Sequence, residues 1–155
     1  MSLPSELIAP ISVDLRAEEL ALEVIKGNEK LMVIDGTLAS GVNVAAGDWV
    51  LKTTTGFDEI PTGNGQPHVY PVVTGNNQYD ALATGNVTAA IGGGFIYRTN
   101  KYVAGSYTVG QALTVKDLGA GEMVPSAAGV NDAIVARVYN IDAVKSIMEI
   151  LVLNR

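Results

Sequence analysis

Short apolar runs of alternating character, separated by glycine, asparagine and aspartate, recur along this chain, and the clearest three lie in its last third. Tyr107–Val115, Asp132–Tyr139 and Ile147–Leu153 are rich in branched residues and too short for stable helices, which predicts strands. In the second run Ile134, Ala136 and Val138 alternate with Val135, Arg137 and Tyr139, so Arg137 marks a face that is exposed or paired. Gly110 and the Leu118–Gly121 stretch allow the positive φ that chain reversals need. Asn140–Ser146 leaves room for a single helical turn before the last run.

Upstream the same grammar continues. Trp49–Thr55 reads as a strand with Trp49 as a core anchor, and His68–Thr74 as another. Pro71 removes a ladder donor there, which predicts an edge position or a break in that strand. Phe95–Arg98 and Lys101–Ala104, joined by Thr99-Asn100, suggest a hairpin. Leu31–Ile34 reads as a strand, whereas Leu15–Lys26 has two readings. Glu18 and Glu19 early, Lys26 late and Gly27 beyond suit a short helix and its dipole. Alternatively Leu20, Leu22 and Val24 alternate up to a Gly27-Asn28 turn, with Leu31–Ile34 as the returning arm. Ser2–Val13 holds Pro4 and Pro10, a composition that favours an extended arm.

These elements predict an all-β protein, a small β-barrel or sandwich with room for one short helix. Residues 1–14 form the arm and 15–155 one β-rich domain, within which 53–97 reads as a long loop-rich insertion. That insertion carries no lysine or arginine and only Asp58, Glu59 and Asp80 as charges. A length of 155 residues with 48% hydrophobic positions suffices for one buried core without staples, and the absence of cysteine excludes disulfides and thiolate chemistry. Ten basic against 16 acidic residues give a net charge of −6, which repels phosphate backbones and anionic lipid and argues against nucleic-acid or membrane partners. No apolar run approaches the roughly 20 residues a membrane helix needs, and the first residues lack the pattern of a signal peptide, so the chain is expected to be soluble.

Catalytic constellations are hard to assemble from these residues. His68 is the single histidine, without the companions a transition-metal site needs. No Gly-x-Ser-x-Gly elbow occurs, and Gly105-Ser106 runs into Tyr107. The acidic pairs Glu18-Glu19 and Asp58-Glu59 are sequence neighbours, which on a strand point to opposite faces. Asn76, Asn77 and Asp80 lack the spacing of a calcium loop, and Gly92–Gly94 leads into Phe95 and not into a phosphate-binding helix. The expectation is a protein that is not an enzyme, with no catalytic residues, no cofactor and no metal.

Four stretches of the last third carry a resemblance: Val109–Val115 with its Gly-Gln-Ala-Leu, Gly121–Ala128, Ala133–Val138, and Met148–Asn154 with its closing Leu-Asn. Together they resemble tailed-phage capsid decoration proteins, also called cement proteins. The Gly36–Trp49 stretch, with Ala-Gly-Asp leading into an aromatic, looks like that family's earlier strands. The resemblance covers about half the chain; it implies a non-enzymatic homotrimer on the outer surface of a phage head, made in the host cytoplasm. Its partner would be the major capsid protein, whose neighbouring subunits it clamps. An extended arm suits that role through strand addition, with Leu3, Leu7, Ile8 and Ile11 as capsid-contact candidates. Two other readings compete. One is a receptor- or glycan-binding module of a tail or fibre, using Tyr70, Tyr79 and Tyr97. The other is a trimeric β-barrel enzyme using Asp58 or Asp80, which lacks basic residues nearby for a phosphate.

Overall fold

The computed structural model describes residues 21–27, 30–39, 44–74, 85–117 and 123–153. Two antiparallel sheets account for the fold, as the alternating runs predict. The six-stranded sheet has the order β1 (Glu23–Lys26), β7 (Ile96–Thr99), β11 (Ile147–Val152), β10 (Ala136–Asp142), β8 (Ala112–Val115) and β9 (Pro125–Ala127). The five-stranded sheet runs β2 (Val33–Thr37), β6 (Asn86–Ala90), β5 (Val69–Thr74), β3 (Trp49–Lys52) and β4 (Phe57–Asp58). Of the two architectures expected, the sandwich is the one observed. The sheets do not close into a barrel, although one parallel bridge, Leu38 to Phe57, draws the edge strands of the smaller sheet together at one end.

Period-two burial explains the larger sheet. Met148, Ile150 and Val152 point inward and Ile147, Glu149 and Leu151 outward along β11. On β10, Ala136 and Val138 are buried while Arg137 and Tyr139 are exposed, as the alternation foretold. A register shift between Val138 and Asn140 then places Tyr139 as the extra residue, which resets the parity so that Ile141 faces the core. Both sheets contribute to one apolar cluster, which joins Trp49, Val50, Val72 and Val87 to Tyr97, Leu113, Val138, Met148 and Ile150. Trp49 anchors it with no exposed surface, and its indole Nε1–H donates to the Tyr97 hydroxyl at 3.0 Å.

Several expectations are revised. Within the described part of 15–26, the strand reading holds at β1, but Leu31–Ile34 does not return beside it. Val24 lies opposite Tyr97 on β7, and Gly27, at φ 80°, passes so near Gly94 that a Cβ there would come within 2.8 Å of its carbonyl. That close turn sends the chain across to the other sheet. The Phe95–Ala104 hairpin does not form either, because β7 is already paired on both sides, with β1 and β11. Residues 140–146 make no helical turn: β10 continues to Asp142, and a tight reversal follows with Ser146 at φ 55° and Lys145 N–H donating to Asp142 Oδ1. Stretch 53–97, expected as a loop-rich insertion, contributes β4, β5 and β6 to the smaller sheet. The 1–14 arm lies outside the described residues.

Pro71 shows how a proline fits inside a sheet. Its strand is not at an edge, since β5 lies between β6 and β3, but it does contain the expected break, a register shift between Val72 and Thr74. Val72 N–H donates to Asp48 O at 2.7 Å and Lys52 N–H to His68 O at 2.9 Å, so Trp49 and Pro71 face each other as a non-bonded pair between bonded ones. The proline nitrogen therefore turns toward β6, whose ladder with β5 begins only at Val72. No bond to β3 is lost.

Candidate assembly surface

Register places several chain reversals at one end of the six-stranded sheet: β1, β8 and β11 begin there, and β7, β9 and β10 finish there. The described chain starts at this end. Ala21 is buried, its carbonyl accepts the Thr99 hydroxyl at 2.6 Å, and Gly47 packs so tightly on it that a Cβ would approach within 2.4 Å. Lys101 and Asp48, 3.6 Å apart, lie beside the same contact. Residues 1–20, with the contact candidates Leu3, Leu7, Ile8 and Ile11, precede this point and lie outside the described residues.

Two turns at this end carry apolar tips. Thr108 and Gln111 close one turn through Gln111 N–H to Thr108 O at 3.1 Å and Thr108 N–H to the Gln111 amide oxygen at 3.0 Å, leaving Val109 67% exposed. The β10–β11 turn leaves Val144 96% exposed. Between them Tyr102 and Tyr107 pack edge to face at 5.7 Å, and Tyr107 donates to Val103 O at 2.5 Å. Partial burial raises both phenol pKa values, partly offset at Tyr102 by a hydrogen bond with Ser146. That bond ties the tyrosine pair to the β10–β11 turn.

A second polar centre sits over β8. Asp132, with its side chain only 3% exposed, accepts Gly65 N–H on Oδ1 at 2.7 Å, and on Oδ2 both Gly129 N–H at 2.8 Å and Lys116 Nζ at 2.9 Å. The two backbone donors, then Lys116, lower its pKa to about 2. Gly65 O in turn accepts Ala133 N–H at 3.1 Å. Every bond on this carboxylate is internal, so Asp132 ties segments 62–66, 116 and 129–133 into one block. Nothing in the sequence singled it out: the 129–132 turn has glycine first and aspartate last, and the Asp132 carboxylate reaches back to the Gly129 N–H.

No protein-family model, curated protein or solved structure matches the chain. The remaining sequence candidates are therefore judged by position alone. His68 is exposed, and among the described residues no three histidine, cysteine, aspartate or glutamate side chains gather as metal ligands. Asp58 Oδ1 accepts the amide of its neighbour Glu59 at 2.7 Å, and Asp80, Asn76, Asn77, Glu18 and Glu19 lie outside the described residues. Tyr70 is 6% exposed and Tyr97 not at all, so neither can present a ring to a sugar. Tyr79 falls outside the described residues. On the outer face of the larger sheet, Arg98 bridges Glu149 at 3.2 Å and Glu23 at 3.8 Å, and Lys26 donates to the Tyr139 hydroxyl at 3.0 Å across the two intervening strands. Those charges satisfy one another. The arrangement is suited to binding by shape and apolar contact at the turn-bearing end.

Proposed function

We propose that this chain is a non-enzymatic structural protein of a phage head, which binds the outer surface of the major capsid protein lattice as a homotrimer and stabilises the shell. One observation carries the reading. The four stretches that bear the resemblance to decoration proteins supply β8, β9, β10 and β11, which lie side by side in the order β9, β8, β10, β11. Motifs scattered over some 45 residues of sequence thus form one continuous wall, as the resemblance leads one to expect. A net charge of −6 suits an outward position, away from packaged DNA.

In this mechanism a rigid plug is held by small contacts repeated three times. Each contact alone need be only modest, because simultaneous engagement raises the effective concentration of the others and slows release. The arm and the turn tips Val109 and Val144 provide apolar anchors of the kind that dominate such interfaces. The test is co-sedimentation with empty heads of the parent phage, after light scattering has fixed the mass. The full chain is expected to be a trimer and to sediment with heads at physiological salt. A chain lacking Ser2–Ile11, and a V109S/V144S chain, are each expected to bind at least roughly tenfold more weakly with unchanged melting. If the full chain stays in the supernatant, the proposal is wrong.

A further inference from the structure

Asparagine followed by glycine occurs once in the chain, at Asn64-Gly65. This dipeptide is chemically labile because glycine has no side chain to keep its nitrogen away from the preceding carboxamide. Asn64 is exposed, while Gly65 is buried and held by both of its backbone groups, through N–H to Asp132 Oδ1 at 2.7 Å and through its carbonyl to Ala133 N–H at 3.1 Å. A Cβ at Gly65 would lie 1.8 Å from Thr114 Oγ1, so the glycine is seated directly on β8.

We propose that Asn64-Gly65 is a self-modification site, a latent deamidation switch that Asp132 keeps closed in the folded protein. In the reaction the Gly65 nitrogen gives up its proton and attacks Asn64 Cγ, forming a new C–N bond. The side-chain nitrogen leaves as ammonia, and a five-membered succinimide remains. Water then opens the ring at either carbonyl, giving aspartate or isoaspartate at position 64. The attacking nitrogen is the donor that Asp132 engages, so that contact must be released before attack, and the Ala133 bond to the Gly65 carbonyl, in the next peptide unit, restrains the glycine from its other side.

The consequence is local and irreversible without repair. Either product adds a negative charge at the edge of the Asp132 block, and isoaspartate also lengthens the main chain by one methylene immediately before Gly65. A backbone seated this closely on Thr114 cannot absorb that length without leaving its seat. Modification therefore unlocks segment 62–66 from β8, and the number of opened sites grows with the age of the protein.

The experiment incubates the full-length chain at mildly alkaline pH below its melting transition and follows conversion at residue 64 by peptide mass mapping and isoaspartate detection. Folded wild type is expected to convert at least roughly tenfold more slowly than the same chain in urea, since a charge-assisted bond must break before attack. D132A is expected to recover most of that difference while still folded. K116M, which weakens the block but leaves the Gly65 bond in place, should convert at the wild-type rate, and N64Q should show no conversion at this site. Equal rates for folded and urea-unfolded wild type overturn the proposal, whether or not D132A folds. So does a folded D132A that converts no faster than wild type.

Discussion

Asp132→Ala is expected to lower the unfolding free energy by about 3 kcal/mol, the range for removing a buried charge that holds several donors. The measurement is a urea titration, in which the midpoint falls while the slope stays constant. Three donors lose their acceptor together, the amides of Gly65 and Gly129 and the Lys116 ammonium. Lys116→Met removes one partner and leaves the other two bonds, and should cost about 1 kcal/mol. The carboxylate also gives the wild type an acid limb. Its pKa in the fold is lowered to about 2, below the ordinary carboxylate value of about 3.9, so its contribution is complete above about pH 4 and is lost as the pH falls toward 2. Stability of the alanine variant should fall less steeply over that window. Parallel acid limbs for the two proteins would show that Asp132 does not hold the block.

The second large effect is expected at the centre of the core. Trp49→Ala should cost about 3–5 kcal/mol, as removal of a fully buried aromatic does. Tyr97→Phe should cost about 1–3 kcal/mol while keeping the ring packing, because it leaves the indole N–H without an acceptor in a dry interior. Burial pushes the Tyr97 phenol far up, so it stays protonated at any pH the fold survives. Trp49 is the single tryptophan, which makes emission a direct reporter of this core. Wild type should emit in the blue and resist iodide quenching, and Tyr97→Phe should keep both properties. A double cycle with Trp49→Phe isolates the bond, since Tyr97→Phe should cost almost nothing once the indole is gone. A full cost in that background would mean that the hydroxyl has another role.

Strands were legible in the sequence because alternation and branched residues act locally. The last-third runs, the Trp49 run and the His68–Thr74 run each contain a strand, but β8 begins only at Ala112, β10 only at Ala136, and β3 stops at Lys52. Partners were not legible. Nothing local in Val24 says that it will face Tyr97, more than 70 residues away, in place of the nearby Leu31–Ile34. That choice depends on which apolar faces the whole sandwich can bury together. Pro71 was legible as a break and not as a place in the sheet, since its missing donor is tolerated in an inner strand if its nitrogen points where a ladder starts. The Asp132 block was hidden because its members come from three distant segments and its chemistry is mostly backbone. At the candidate assembly surface, Val109 lies inside the run read as the Tyr107–Val115 strand and Val144 inside the Asn140–Ser146 stretch read as room for a helical turn, so neither was legible as an exposed turn tip.

The position of β11 has a consequence for how the molecule is made. This strand, the last of the described chain, lies inside its sheet and bonds to β7 on one side and β10 on the other. During translation β7 and β10 leave the ribosome without the strand that separates them, and the larger sheet cannot close until residue 152 has emerged. Such distant pairing slows folding and leaves apolar strands exposed in the nascent chain, a natural substrate for a holding chaperone. Stop codons that fall within β11 should therefore yield an aggregating polypeptide and not a slightly shortened protein.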